Sequence, residues 1–132
     1  MNPQLCRAAA LAVVAIAYAV PPTLAGAGDY EFEPVSREVR NGSDSELAVR
    51  LLHKATGKPV ADAVIVRTRL DMSPDGMEAM TAKHEALGTT EPGVYRFRAN
   101  LAMAGHWAFK LMAKVQGESE TVQGSVVFEA KD

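Results

Sequence analysis

Methionine and histidine are the residues in this sequence whose types and spacing could do chemistry. Met72, Met77 and Met80 fall in one short segment, and His84 follows them. A second group, Met103-Ala104-Gly105-His106-Trp107, sets another thioether beside another imidazole. Thioether sulfur and imidazole nitrogen are soft to borderline donors, and together they suit copper(I). The candidate metal ligands are therefore Met72, Met77, Met80, His84, Met103 and His106, a subset of which would hold one ion.

Each position has a packing reading beside the ligand reading. Met72 continues the apolar face of Val64, Val66, Thr68 and Leu70, so it reads as core or ligand. Met77 follows Gly76 in a turn, a poor place for a core residue. Met80 and His84 stand four apart and share a face in a helix or in a strand. Met103 lies just past an inward run and either caps the core or binds. His106 alternates with Trp107 and points outward, as a ligand or as an ordinary surface histidine. Met112 stands among lysines on an outward face, and His53 at a strand end reads as surface.

Other chemistries find less support. Asp71-x-Ser73-x-Asp75-Gly76 opens like a calcium loop, but its twelfth position is Ala82 where such a loop needs Glu. There is no glycine-rich phosphate loop and no GxSxG elbow. The carboxylates are scattered, and three histidines with no cysteine beyond Cys6 give little support for a zinc enzyme. The expectation is a binding protein, not an enzyme.

The only cysteine, Cys6, sits in a segment unlike the rest. Arg7 is the sole charge there, the apolar run Ala8 to Val20 follows, and Leu24-Ala25-Gly26-Ala27 ends it. A basic start, an apolar stretch and a small-residue exit describe a secretory signal peptide over residues 1–27, cut after Ala25 or Ala27. Uncleaved, the same stretch would be a membrane tether. The expected location is the periplasm. Of the 14 basic side chains, 13 remain without Arg7, against 16 acidic ones, a net charge of −3. No basic stripe marks a nucleic-acid binder. An exported chain without thiols has only methionine and histidine as soft ligands, so export itself strengthens the copper reading.

The elements that must position these residues are strands. About 105 residues, 28–132, suit one domain. Leu47, Val49 and Leu51 alternate with Ala48 and Arg50. Tyr95, Phe97, Ala99 and Leu101 alternate with polar residues, as do Trp107, Phe109, Leu111, Ala113 and Val115. Val122, Val126 and Phe128 close the chain, and a short strand is expected near Tyr30–Phe32. Turns fall at Asn41-Gly42-Ser43, Thr56-Gly57-Lys58-Pro59, Pro74-Asp75-Gly76, Thr89–Gly93 and Gln116-Gly117-Glu118. Met77 to Leu87 reads as a short helix or an irregular strand. The sum is an all-β, antiparallel sandwich of about seven strands, with Trp107 anchoring its core.

Four segments carry a family resemblance: Thr56-Gly57-Lys58-Pro59-Val60-Ala61-Asp62-Ala63, Met72-Ser73-Pro74-Asp75-Gly76-Met77, Pro92-Gly93-Val94-Tyr95 and Met103-Ala104-Gly105-His106-Trp107. In order and spacing, Leu47 to Val127 resembles the YtkA-like domain of the FixH-like family. The resemblance implies an immunoglobulin-like sandwich in the bacterial envelope and a link to copper handling. By motif it points to Met72, Met77 and Met103; His106 stands where the motif often has another polar residue. The implied role is a periplasmic copper(I) carrier or chaperone serving an envelope membrane complex or another copper-handling protein. The competing reading is a metal-free interaction module that docks on such a complex, its methionines forming core and contact surface.

Overall fold

The computed structural model describes residues 27–89 and 91–132. The signal peptide expected over residues 1–27, with Cys6, lies outside the described residues apart from Ala27. Ten strands follow: β1 (Tyr30–Pro34), β2 (Glu38–Arg40), β3 (Gly42–His53), β4 (Lys58–Pro59), β5 (Val64–Met72), β6 (Met77–Thr81), β7 (His84–Leu87), β8 (Val94–Leu101), β9 (Gly105–Lys114) and β10 (Val122–Lys131). One sheet runs β1-β3-β8-β7, with β4 on β3; the other runs β2-β10-β9-β5-β6. Every pairing is antiparallel except β2 with β10, which is parallel.

In chain order, β1, β3, β5, β7, β8, β9 and β10 are the seven strands A to G of an immunoglobulin-type sandwich, ABED facing CFG. The expected seven-strand frame is thus present. The added pieces are β2, β4 and β6, too short or too polar to announce themselves by alternation.

Period-two alternation builds the core where it is longest. On β9 and just beyond it, Trp107, Phe109, Leu111, Ala113 and Val115 all bury; on β3, Leu47, Val49 and Leu51; on β10, Val122, Val126, Phe128 and Ala130. Each large apolar side chain so buried contributes about 1.5–3 kcal/mol. Trp107 is fully buried, as expected of a core anchor, and its indole N–H donates to the Met103 carbonyl at 3.1 Å. The Phe97 and Phe109 rings meet edge to face across the two sheets, 4.8 Å between centroids.

Two expectations fail for identifiable reasons. Val64 and Val66 do not face the core; they are 63% and 51% exposed. The β5–β9 register jumps from Ile65–Ala113 to Arg67–Met112, so Val66 is an extra, bulged residue. The bulge exchanges faces: Ile65 turns inward before it, and Thr68, Leu70 and Met72 after it. Met77 to Leu87 holds no helix, and it is two strands rather than one. β6 edges one sheet and β7 edges the other, with the chain crossing between them at Ala82-Lys83. Met80 and His84 therefore do not share a face.

Candidate functional site

The site is built where β5 ends. At Asp71 the strand reaches the tight turn Ser73–Asp75, whose start is held by the Ser73 N–H donating to the Asp71 carboxylate at 3.0 Å. Pro74 suits the opening of such a turn, and Gly76 closes it at φ 75°, a left-handed conformation that glycine adopts without a Cβ clash. The chain then reverses into β6, with Met77 opposite Met72.

Asp71 points to the outer face of its sheet, yet its side chain is fully buried. Besides Ser73 it accepts from Arg69 Nε at 2.7 Å and from Lys110 Nζ at 3.1 Å. Burial alone would raise its pKa. The hydrogen bonds from Ser73, Arg69 and Lys110 outweigh that effect and hold the carboxyl well below the usual carboxylate range.

Asp75, the last residue of the turn, reaches the start of β9. One carboxylate oxygen accepts the His106 backbone N–H at 2.7 Å; the other meets the His106 ring Nδ1 at 3.0 Å. The backbone bond first, and the ring after it, lower the Asp75 pKa, against a smaller opposing effect of burial. An ionised carboxylate can only accept, so Nδ1 carries the proton. The Nε2 edge takes no part in this contact, and the side chain is half exposed. Gly105 makes the approach possible: a Cβ there would lie 2.5 Å from Met72 Cε and 2.7 Å from Asp75 Oδ2.

This contact joins two segments that carry sulfur. Met77 stands two residues after Asp75, and Met103 stands three before His106. Both side chains are partly exposed, at 36% and 38%. The Met103 backbone is fixed by the Trp107 indole, which leaves its thioether on the surface.

The other candidates lie apart from this pair. Met72 is fully buried and packs its methyl end against Gly105, so it serves the core. Met80 is exposed on the edge strand β6. His84 sits on the opposite sheet and spends both ring nitrogens: Nδ1 donates to the Ala82 carbonyl at 3.0 Å, and Nε2 accepts from the Thr68 hydroxyl at 2.5 Å. Its ring is packed edge-on against Phe109 and Phe97, as a polar plug closing the gap between β5 and β7. Among the described residues, no three His, Cys, Asp or Glu side chains gather as a metal site would need.

Sequence reasoning missed Asp75 and Asp71. The only signal was the calcium-loop-like spacing, which was set aside because Ala82 stands at its twelfth position. In the structure the two carboxylates take separate partners and do not converge.

With this geometry in hand, comparison with known proteins gives a clear family match. The model of the YtkA-like family matches residues 24–112. No curated protein sequence matches the chain. Among solved structures, the Lin-41 filamin domain aligns at 15% identity and a TM-score of 0.43, over 73% of this chain and 91% of that one. The ZirS C-terminal domain aligns at 9% identity and 0.46, over 100% and 82%. A conjugative transposon lipoprotein from Bacteroides eggerthii aligns at 14% identity and 0.34, over 79% and 98%. The fold assignment rests on the strand topology itself.

Proposed function

The chain belongs to the YtkA-like family, and on that premise we propose that it is an exported copper(I)-binding auxiliary protein, a carrier that passes its ion to an envelope membrane complex or another copper-handling protein. The observation that carries this reading is the Asp75–His106 pair. A carboxylate on Nδ1 fixes the tautomer and the ring orientation, the usual arrangement behind a metal-binding imidazole. The ligands are His106 Nε2 with the thioethers of Met77 and Met103, whose segments adjoin the Asp75–His106 contact along the chain. Met80 lies on the strand that Met77 begins and is a reserve ligand; Met72 and His84 are structural.

Copper here is cargo. A half-exposed imidazole and two partly exposed thioethers make a site that opens easily, and thioethers are soft, uncharged ligands that suit exchange. The tight turn and the indole bond to Met103 hold the backbone, so that the side chains alone adapt to the ion. Periplasmic location follows from the leader read in residues 1–27, and fractionation of cells expressing the full chain tests it.

Anaerobic titration with copper(I) against a competing chelator tests the site. Wild-type protein should take up one ion per chain, and His106→Ala or the double variant Met77→Ala, Met103→Ala should weaken uptake by about tenfold or more. X-ray absorption should show sulfur and nitrogen scatterers together. Unchanged affinity in the double variant would remove the proposed site. No uptake by wild type would leave the metal-free docking role instead.

A further inference from the structure

We propose that the outer face of the β9–β5 half-sheet docks an extended acidic polypeptide segment. The two sheets treat their surface cations differently. On the outer face of the first sheet each arginine has a glutamate: Arg50 with Glu33, Arg96 with Glu46, Arg98 with Glu85. On the outer face of β5 and β9 in the second, Arg67, Arg69, Lys110 and Lys114 stand over one carboxylate, that of Asp71, whereas Lys131 farther across the same sheet has Glu38 and Glu129. That carboxylate is wholly buried and already holds Arg69 and Lys110, whose side chains remain 54% and 46% exposed. Arg67 and Lys114 are exposed and have no acidic partner among the described residues. A surplus of positive charge is thus concentrated on one face of a chain whose net charge is −2.

The face is shaped for a strand-like occupant. The four cations lie in two rows on paired strands, with Arg69 opposite Lys110, Arg67 opposite Met112, and Val64 opposite Lys114. Successive outward positions on one strand are roughly 6.6 Å apart, twice the rise per residue, and neighbouring strands about 4.8 Å apart. An extended peptide with carboxylates at alternate positions repeats at that same spacing. Over this face lies a shallow depression of about 490 Å³, bordered by Arg67 and Arg69 on β5, Lys110 and Met112 on β9, and Gln123 and Ser125 on β10. Half-buried Met112 gives it an apolar floor. Unbranched methionine adapts to varied side chains, and charge complementarity would supply encounter rate and register. The proposal stands apart from the copper site: it uses neither His106 nor a methionine of that group.

The test uses fluorescence anisotropy with the mature protein and a fluorescein-labelled peptide of alternating glutamate and valine. Binding is expected at low ionic strength and should weaken steeply as salt is added. Arg67→Glu with Lys114→Glu should weaken it by about tenfold or more, since both cations lie on the contact face. Lys54→Glu with Lys58→Glu, the same charge change at the β3–β4 corner of the other sheet, should leave it within about twofold. Circular dichroism confirms that both variants fold. Equal losses in the two variants, or equal binding of a peptide with its glutamates and valines in separate blocks, would overturn the proposal. So would capture by phosphatidylglycerol vesicles with the same dependence on Arg67 and Lys114, because the face would then serve a lipid surface.

Discussion

Replacing Asp71 with Asn tests the group that holds the end of β5, the turn and the basic face together. The wild-type carboxylate is fully buried and accepts three donors, from Ser73, Arg69 and Lys110. Asn keeps the volume and an amide oxygen for Ser73. It sets an NH2 group against two cations, so two charge-assisted bonds are lost. A hydrogen bond to a charged group contributes about 1.5–3 kcal/mol, and breaking a buried ion pair on one side costs about 3–5 kcal/mol. Arg69 and Lys110 are half exposed and regain water when released, which discounts the sum heavily. The expected loss is about 2 kcal/mol, or a fall in Tm of roughly 10 °C for a domain this small.

The pH dependence has a definite sign. The folded-state pKa of Asp71 is depressed. Its contribution is then complete above the unfolded value, about 3.9 for Asp, and is lost as pH falls toward the folded value. Urea unfolding of wild type and variant should show a constant gap at neutral pH that closes below about pH 4. A gap under about 0.5 kcal/mol at neutral pH, the range of ordinary surface changes, would refute the argument. So would a gap that widens in acid.

Three further outcomes follow from the same contacts. Gly105→Ala should cost about 2–3 kcal/mol by urea unfolding, because φ there is 142° and the new Cβ meets Met72 and Asp75. Trp107→Phe should cost about 2 kcal/mol by thermal unfolding followed in the far ultraviolet, from lost core volume and an unpaired Met103 carbonyl. Asp75→Ala should leave His106 in place but lower copper(I) affinity by about tenfold in the chelator competition, through loss of the group that orients the ring.

Most of the frame was legible because long strands advertise themselves. Trp107 to Val115 and Leu47 to Leu51 each bury every second residue, and no local event disturbs the alternation. β5 misled because one bulged residue, Val66, is invisible to a period count yet reverses everything before it. Met80 and His84 misled because a chain that changes sheets keeps its sequence spacing and loses its common face. The candidate site was half legible. Its methionines and His106 announce themselves by type, whereas Asp75 and Asp71 gain meaning only when a turn folds back on β9. Their partners on β9, His106 and Lys110, lie 31 and 39 residues away, beyond any local pattern.

The single parallel pairing has a mechanical consequence. Tyr30 bonds Glu118 beside the start of β10, and β2 runs alongside the end of that strand, joined by Glu129 N–H to the Arg37 carbonyl and Asn41 N–H to the Lys131 carbonyl. The first described residues and Asp132 therefore leave from opposite poles. A pull applied between them first loads β1 against β3 and, beyond it, drags β2 and β10 past each other along their length. Their hydrogen bonds are loaded side by side in shear and must yield together, where a hairpin pulled from one end would open bond by bond. A domain held at one pole and tugged at the other would resist unravelling more strongly than its modest size suggests.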